Sequence, residues 1–196
     1  MEIDAGGTFN ASRAAHAALR RAGGSGSSSS TSPSSPSTRV GAAVVNVSAT
    51  LHYGATWWQA HASAAKAAVD SLTRTLALEW GSSNIRVNGV APGPVAGTAG
   101  LAKLAPGGPE KLAAMLSERV PLGRPARAAD IALAVVFLAA PAASGYVNGH
   151  TMVVDGGEWM WRPPLVGRAG VEAASRGAEA ASRGVGLAGG PARAKL

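Results

Sequence analysis

The side chains able to do chemistry in this chain are few. There is no cysteine, which excludes thiol catalysis and disulfide scaffolds, and the four histidines (His16, His52, His61 and His150) lack the paired spacing of a zinc site. No metal centre is expected, and redox chemistry would need an organic cofactor. Four segments gather the remaining candidates: Asp4-x-x-Gly7-Thr8-Phe9-Asn10; residues 48–58 (SATLHYGATWW), running into a helix that bears Lys66; residues 91–98 (APGPVAGT); and Asp155-Gly156-Gly157. A carboxylate can hold or move a proton, a lysine can act as a point charge, and turns rich in glycine and proline bring backbone groups close to a ligand.

These segments need elements to position them. Residues 5–22 place Phe9, Ala14 or Ala15, and Ala18 or Leu19 at helical spacing, with Arg13, Arg20 and Arg21 available to the opposite face. Residues 42–48 (AAVVNVS) form a short apolar run suited to a strand buried on both faces, and residues 84–91 (NIRVNGVA) form a second strand halted by Pro92 and Gly93. Between them residues 56–80 read as a long alanine-rich helix that permits close approach of a neighbouring helix, within the subunit or across a dimer. Helices over about 109–118 and 127–140 and a third strand, Thr151 to Val154, complete the series. The alternation is that of a doubly wound α/β fold with a parallel sheet and right-handed crossovers. In such sheets ligands collect beyond the carboxyl ends of the strands, which is where three of the four segments fall.

Composition narrows the class. With 46% hydrophobic and 15% charged residues the chain reads as globular, and no run of 18 apolar residues suggests a membrane span. The net charge is +7, of which residues 165–196 contribute five basic and two acidic side chains; the rest is dispersed among alanines, so no nucleic-acid partner is expected. Residues 23–38 are all Gly, Ser, Thr or Pro and read as an insertion loop in a domain spanning 1–164. Residues 165–196 read as a low-complexity spacer with a tandem EAASRGA/EAASRG duplication, ending in Ala194-Lys195-Leu196, a relaxed form of the peroxisomal address read by an import receptor.

In order and spacing these motifs, from Asp4 to about Trp161, resemble the short-chain dehydrogenase/reductase family. The family pairs a serine with a Tyr-x-x-x-Lys helix, yet here the positions matching serine and tyrosine are Ala49 and Ala62, so only Lys66 and, at the asparagine position, Asp4 remain. Without a hydroxyl donor this is not a carbonyl reductase pattern. The departure is similar to the 2,4-dienoyl-CoA reductase branch of the family. That resemblance implies NADPH-dependent reduction of a dienoyl-CoA substrate to a 3-enoyl-CoA in peroxisomal β-oxidation, and a homo-oligomer. It implies that Asp4 and Lys66 are catalytic, that Lys66 and the turn Pro92, Gly93, Pro94, Val95, Ala96, Gly97 and Thr98 contact the cofactor, and that Lys103 contacts a CoA phosphate. It also implies a Rossmann-type fold of which three strands with flanking helices, the C-terminal part, are recognisable. The βαβ half that cradles adenosine in the family has no counterpart in the sequence. An apolar strand edge, poor solubility or dependence on a partner is then expected.

Plainer readings stand beside these. Asp4 could cap a helix, Lys66 could be a solvated helix lysine, and Lys103 a surface one. Trp57, Trp58, Trp80, Trp159 and Trp161 read as packing anchors, with the first pair also able to line an acyl groove. Tyr53 lies thirteen residues from Lys66, not four, and is set aside as a replacement acid. Alternative functions are a catalytically inactive remnant or oligomerisation partner, and a short-chain reductase with another substrate.

Overall fold

The computed structural model describes residues 2–24, 41–99, 101, 108–162 and 168–185. Three parallel strands, β1 (Ala42–Val47), β2 (Ile85–Pro92) and β3 (Thr151–Val154), form one sheet in the order β1-β2-β3. The longer helices among the described residues are α1 (Gly7–Ala22), α2 (Ala60–Trp80), α3 (Pro109–Arg119), α4 (Ala128–Ala139) and α5 (Arg168–Val185), with a single helical turn, Pro141–Ser144, after α4. The architecture is α/β, a parallel sheet flanked by helices. β2 is central, with Val44 opposite Val87 on one side and Gly89 opposite Thr151 on the other. Its residues from Ile85 to Ala91 are all buried, including the polar Arg86 and Asn88, as a strand between two neighbours and two helix layers should be. β1 is an edge of the described sheet and leaves Val47 56% exposed.

Alternation along β2 assigns the two faces. Ile85 and Val87 join Ala42 and Val44 against Leu76, Ala77 and Trp80 of α2, with Leu19 of α1 packed alongside. Between them Arg86 points the other way, where its guanidinium donates to Leu138 O at 2.8 Å, Ser144 O at 3.1 Å and Ala139 O at 3.2 Å. Burial lowers the pKa of this guanidinium, and the carbonyls at the end of α4 compensate by accepting its protons. Thus α2 and α4 cover opposite faces. Both connections advance one strand in the same direction, so they have opposite hands, and the expectation of uniformly right-handed crossovers does not hold. The hand preference arises where one helix packs straight back onto the sheet, whereas residues 93–150 carry, among the described residues, three helices (Pro109–Arg119, Ala128–Ala139 and Pro141–Ser144) and several turns and escape that constraint.

Two elements differ from their expected bounds or character. The helix expected from residue 56 begins at Ala60, because Trp58 has φ 61° and a left-handed residue cannot continue a right-handed helix. In the segment read as a spacer, α5 forms with Arg168 Nε 2.8 Å from Glu172 Oε1 and Arg176 Nη1 4.0 Å from Glu172 Oε2. Alanine-rich sequence with charge pairs one turn apart favours helix even where it is fully exposed. The chain divides into two compact units, Met1–Trp161 and Arg162–Leu196, and α5 belongs to the second. Among the described residues, no helix is long and apolar enough to cross a membrane.

Candidate active site at the carboxyl ends of the strands

Lys66 and Asp4 meet. Lys66 Nζ lies 3.0 Å from Asp4 Oδ1 and donates as well to Val47 O, 3.1 Å away at the end of β1. The lysine side chain is 20% exposed and the aspartate 43%, so Lys66 is neither a freely solvated lysine nor sealed from solvent. Asp4 does not cap α1. It sits in a wider π-helical turn, Glu2–Gly6, that leads directly into α1, and the helix has no side-chain cap. The wider turn directs the carboxylate across to α2. The start of α2 is moored by Ser48, which is buried and whose hydroxyl donates to Lys66 O at 3.4 Å. Beside it Ala49 is extended and Ala62 lies one turn before Lys66.

Pro92 ends β2, and the turn after it is braced from within. Ala96 N–H donates to Ala126 O at 2.8 Å, Ala126 N–H donates to Pro94 O at 2.9 Å, and Val95 bridges Ala126. Thr98 Oγ1 donates to Val95 O at 2.9 Å and accepts from Leu101 N at 3.3 Å. At Gly93 a side chain would collide with Asp155, whose Cβ lies 2.6 Å from where an added Cβ would stand. Gly97, at φ 74°, turns the chain. Asp155 is buried and accepts from Gly157 N at 2.8 Å and Trp159 N at 2.7 Å, so the DGG segment closes a turn beneath the site.

One turn beyond Lys66 lies a cluster that spacing alone did not single out. Asp70, 4% exposed, accepts on Oδ2 from His52 Nε2 at 2.7 Å and from the Tyr53 hydroxyl at 3.4 Å, and on Oδ1 from Thr151 Oγ1 at 3.3 Å. These residues, with Arg74 and His150, line a cleft of about 440 Å³. Burial pushes the Tyr53 phenol above its ordinary pKa, and the Asp70 charge and hydrogen bond add to that. His52 serves Asp70 through Nε2, and among the described residues its buried Nδ1 has no hydrogen-bond partner. Tyr53 therefore belongs to the Asp70 cleft, whose lining does not include Lys66 or Asp4, and it reaches that cleft through the loop after β1; its ring also meets Trp159 edge-on, 5.6 Å between centroids. The one sequence signal was the HY pair in the segment between the first strand and the long helix.

Other candidates separate. Trp80 is buried and stacks on His16 with centroids 4.5 Å apart, as an anchor should. Trp57 and Trp58 are 88% and 91% exposed and anchor nothing in the described chain. Lys103 and Ala194, Lys195 and Leu196 lie outside the described residues. Among the described residues, no group of three His, Cys, Asp or Glu could hold a metal.

Residues 1–158 match the family model described as Enoyl-(Acyl carrier protein) reductase. The chain is 46% identical over 177 residues to the (3E)-enoyl-CoA-producing peroxisomal 2,4-dienoyl-CoA reductase of Arabidopsis thaliana, covering 90% of this chain and 55% of that protein. It is 44% identical over 166 residues to the protein of the same description from Pongo abelii, covering 83% and 49%. Among solved structures it is similar to a gluconate 5-dehydrogenase from Burkholderia cenocepacia in complex with NADP and tartrate, with TM-score 0.64, 28% identity, and coverage of 80% of this chain and 53% of that one. The chain thus spans about half the length of the curated relatives it matches. A parallel sheet with its candidate groups at the strand ends, and a family model matching most of its length, place the chain in the short-chain dehydrogenase/reductase family.

Proposed function

We propose that this protein serves the NADPH-dependent reduction of 2,4-dienoyl-CoA to 3-enoyl-CoA. The carrying observation is the Lys66–Asp4 pair at 3.0 Å, held at the carboxyl end of β1 beside two positions, Ala49 and Ala62, that lack a hydroxyl. Reduction of a carbonyl needs a proton donor on the oxygen, which neither alanine supplies; a conjugated thioester instead takes its proton on carbon, from a carboxylic acid or a water it orders. The residues present fit a reduced dinucleotide: an ammonium directed at the strand ends, and beside it a turn in which Gly93 is seated directly on Asp155 and Thr98 is tied to Val95 O, so that backbone can border a ring. NADPH, when bound, supplies the hydride. Lys66 would hold the ribose hydroxyls and contribute positive charge, the Pro92–Thr98 turn would border the nicotinamide, and Asp4, reachable by water, would relay the proton. Lys103 would meet a CoA phosphate.

The cleft holds a second carboxylate, whose oxygens accept from His52, Tyr53 and Thr151 and which lies apart from the Lys66–Asp4 pair. Asp70 lies four residues beyond Lys66 and lines the cleft, so Asp4→Asn and Asp70→Asn distinguish the two carboxylates. The names of the curated relatives and the terminal Ala194-Lys195-Leu196 support import into the peroxisome through the receptor for that address, and the alanine-rich α2 supports a homo-oligomer. The test is direct: NADPH fluorescence titrated with the purified chain, then loss of dienoyl-CoA absorbance. Absence of both responses defeats the reductase reading for this polypeptide and favours a non-catalytic role.

A further inference from the structure

The segment between β1 and α2 has a fixed root and a bare tip. At the root, His52 and Tyr53 are tied to Asp70, and Ser63 Oγ donates to Leu51 O at 3.4 Å. At the tip, Gly54, Ala55 and Thr56 are exposed, and the indoles of Trp57 and Trp58 stand 88% and 91% in solvent. Trp58 is held there at φ 61°, a left-handed conformation that bulky residues avoid. A strained backbone holding two large rings outward is a feature that unconstrained folding would discard.

The charge pattern along the segment selects the occupant. No Asp, Glu, Lys or Arg occurs from Val40 to Ala65, and the next charged side chain is Lys66 itself. Lys66 lies six residues into α2, about 9 Å along its axis from the helix start that the tryptophans precede. An uncharged approach ending at a single ammonium is complementary to a molecule with a long apolar tail and a polar reacting head. We propose that Trp57 and Trp58 form the seat for the acyl tail of a long-chain acyl-CoA on an arm clamped to α2 through Asp70, a proposal that rests on the reductase reading and gives its substrate a chain-length class. The rings act by burial: each removes a large apolar area from water when a methylene chain lies across it, and a four-carbon chain is too short to do so.

The full chain is titrated with hexadecanoyl-CoA and butanoyl-CoA, both below micellar concentration, while tryptophan emission is followed. A saturable blue shift with hexadecanoyl-CoA at least tenfold tighter than with butanoyl-CoA is expected. That preference is expected to vanish in Trp57→Ala/Trp58→Ala with the far-ultraviolet circular dichroism unchanged. Trp58→Gly, which suits the left-handed backbone, is expected to keep or raise thermal stability while weakening the long-chain response. Equal affinity for the two lengths, retained preference in the double variant, an equal blue shift with phosphatidylcholine vesicles, or tryptophan-dependent self-association in sedimentation would each overturn the proposal. NADPH fluorescence is read in the same samples. Its failure counts against the reductase reading, whereas the seat stands or falls on the chain-length ratio alone.

Discussion

Lys66 Nζ and Asp4 Oδ1 lie 3.0 Å apart although 62 residues separate them in the chain. Because Asp4 is 43% exposed, the pair stabilises the fold by no more than about 1 kcal/mol and is better understood as holding the ammonium in place. Lys66→Met is expected to weaken NADPH binding at least tenfold with little loss of thermal stability, and Asp4→Asn to weaken it less. Fluorescence titration of the reduced nicotinamide checks both, and unchanged affinity in Lys66→Met would remove the lysine from the cofactor site.

The Tyr53 phenol titrates above its ordinary value, first through burial and then through Asp70. A group with a raised folded pKa contributes stability that is fully present below its unfolded value, about 10 for tyrosine, and lost as pH rises through the higher folded value. Ultraviolet titration is expected to show an alkaline step that disappears in Tyr53→Phe and moves to lower pH in Asp70→Asn. If the step keeps its position in Asp70→Asn, the carboxylate does not govern this phenol.

Gly93 has no room for a side chain. An added Cβ would stand 2.6 Å from Asp155 Cβ and 2.9 Å from its Cα, both parts of a buried turn that cannot swing aside. Gly93→Ala is expected to cost about 2 kcal/mol through overpacking and to loosen the turn before Thr98. Chemical denaturation measures the loss, and wild-type stability would show that the Asp155 turn yields.

Arg86 crosses the sheet to the carbonyls of Leu138, Ala139 and Ser144. Arg86→Met keeps much of the apolar stem and removes every guanidinium donor, while Leu138 O and Ser144 O still accept from Ser144 Oγ and Val147 N–H; a loss of about 2 kcal/mol is expected. Arg86→Lys should recover only part, because one ammonium cannot reproduce the two-nitrogen fork. Full recovery by lysine would mean that charge alone matters at this position.

Periodicity was informative wherever a single element decided the outcome. The strands at 42–47 and 85–92 and the helix ends at Ala22, Trp80 and Ala139 follow from apolar runs and their breakers, since burial of one face is a local pattern. The first turn of α2 was not legible, because nothing in the residue types of Thr56 to Gln59 announces the left-handed backbone at Trp58. The family pattern picked out Lys66 and Asp4, but their contact depends on a π-helical turn that pattern does not encode.

The amino-acid order alone determined an α/β chain without cysteine, with alanines where hydroxyl acids would stand and a lysine near the start of a long helix. Only the tertiary structure brought His52, Tyr53 and Thr151, from 18, 17 and 81 residues away, onto the carboxylate of Asp70, and sent the two strand connections over opposite faces. The reason is physical: propensity and hydrophobic pattern act over a few residues, whereas a buried carboxylate takes its donors from whichever elements the packed sheet delivers to it.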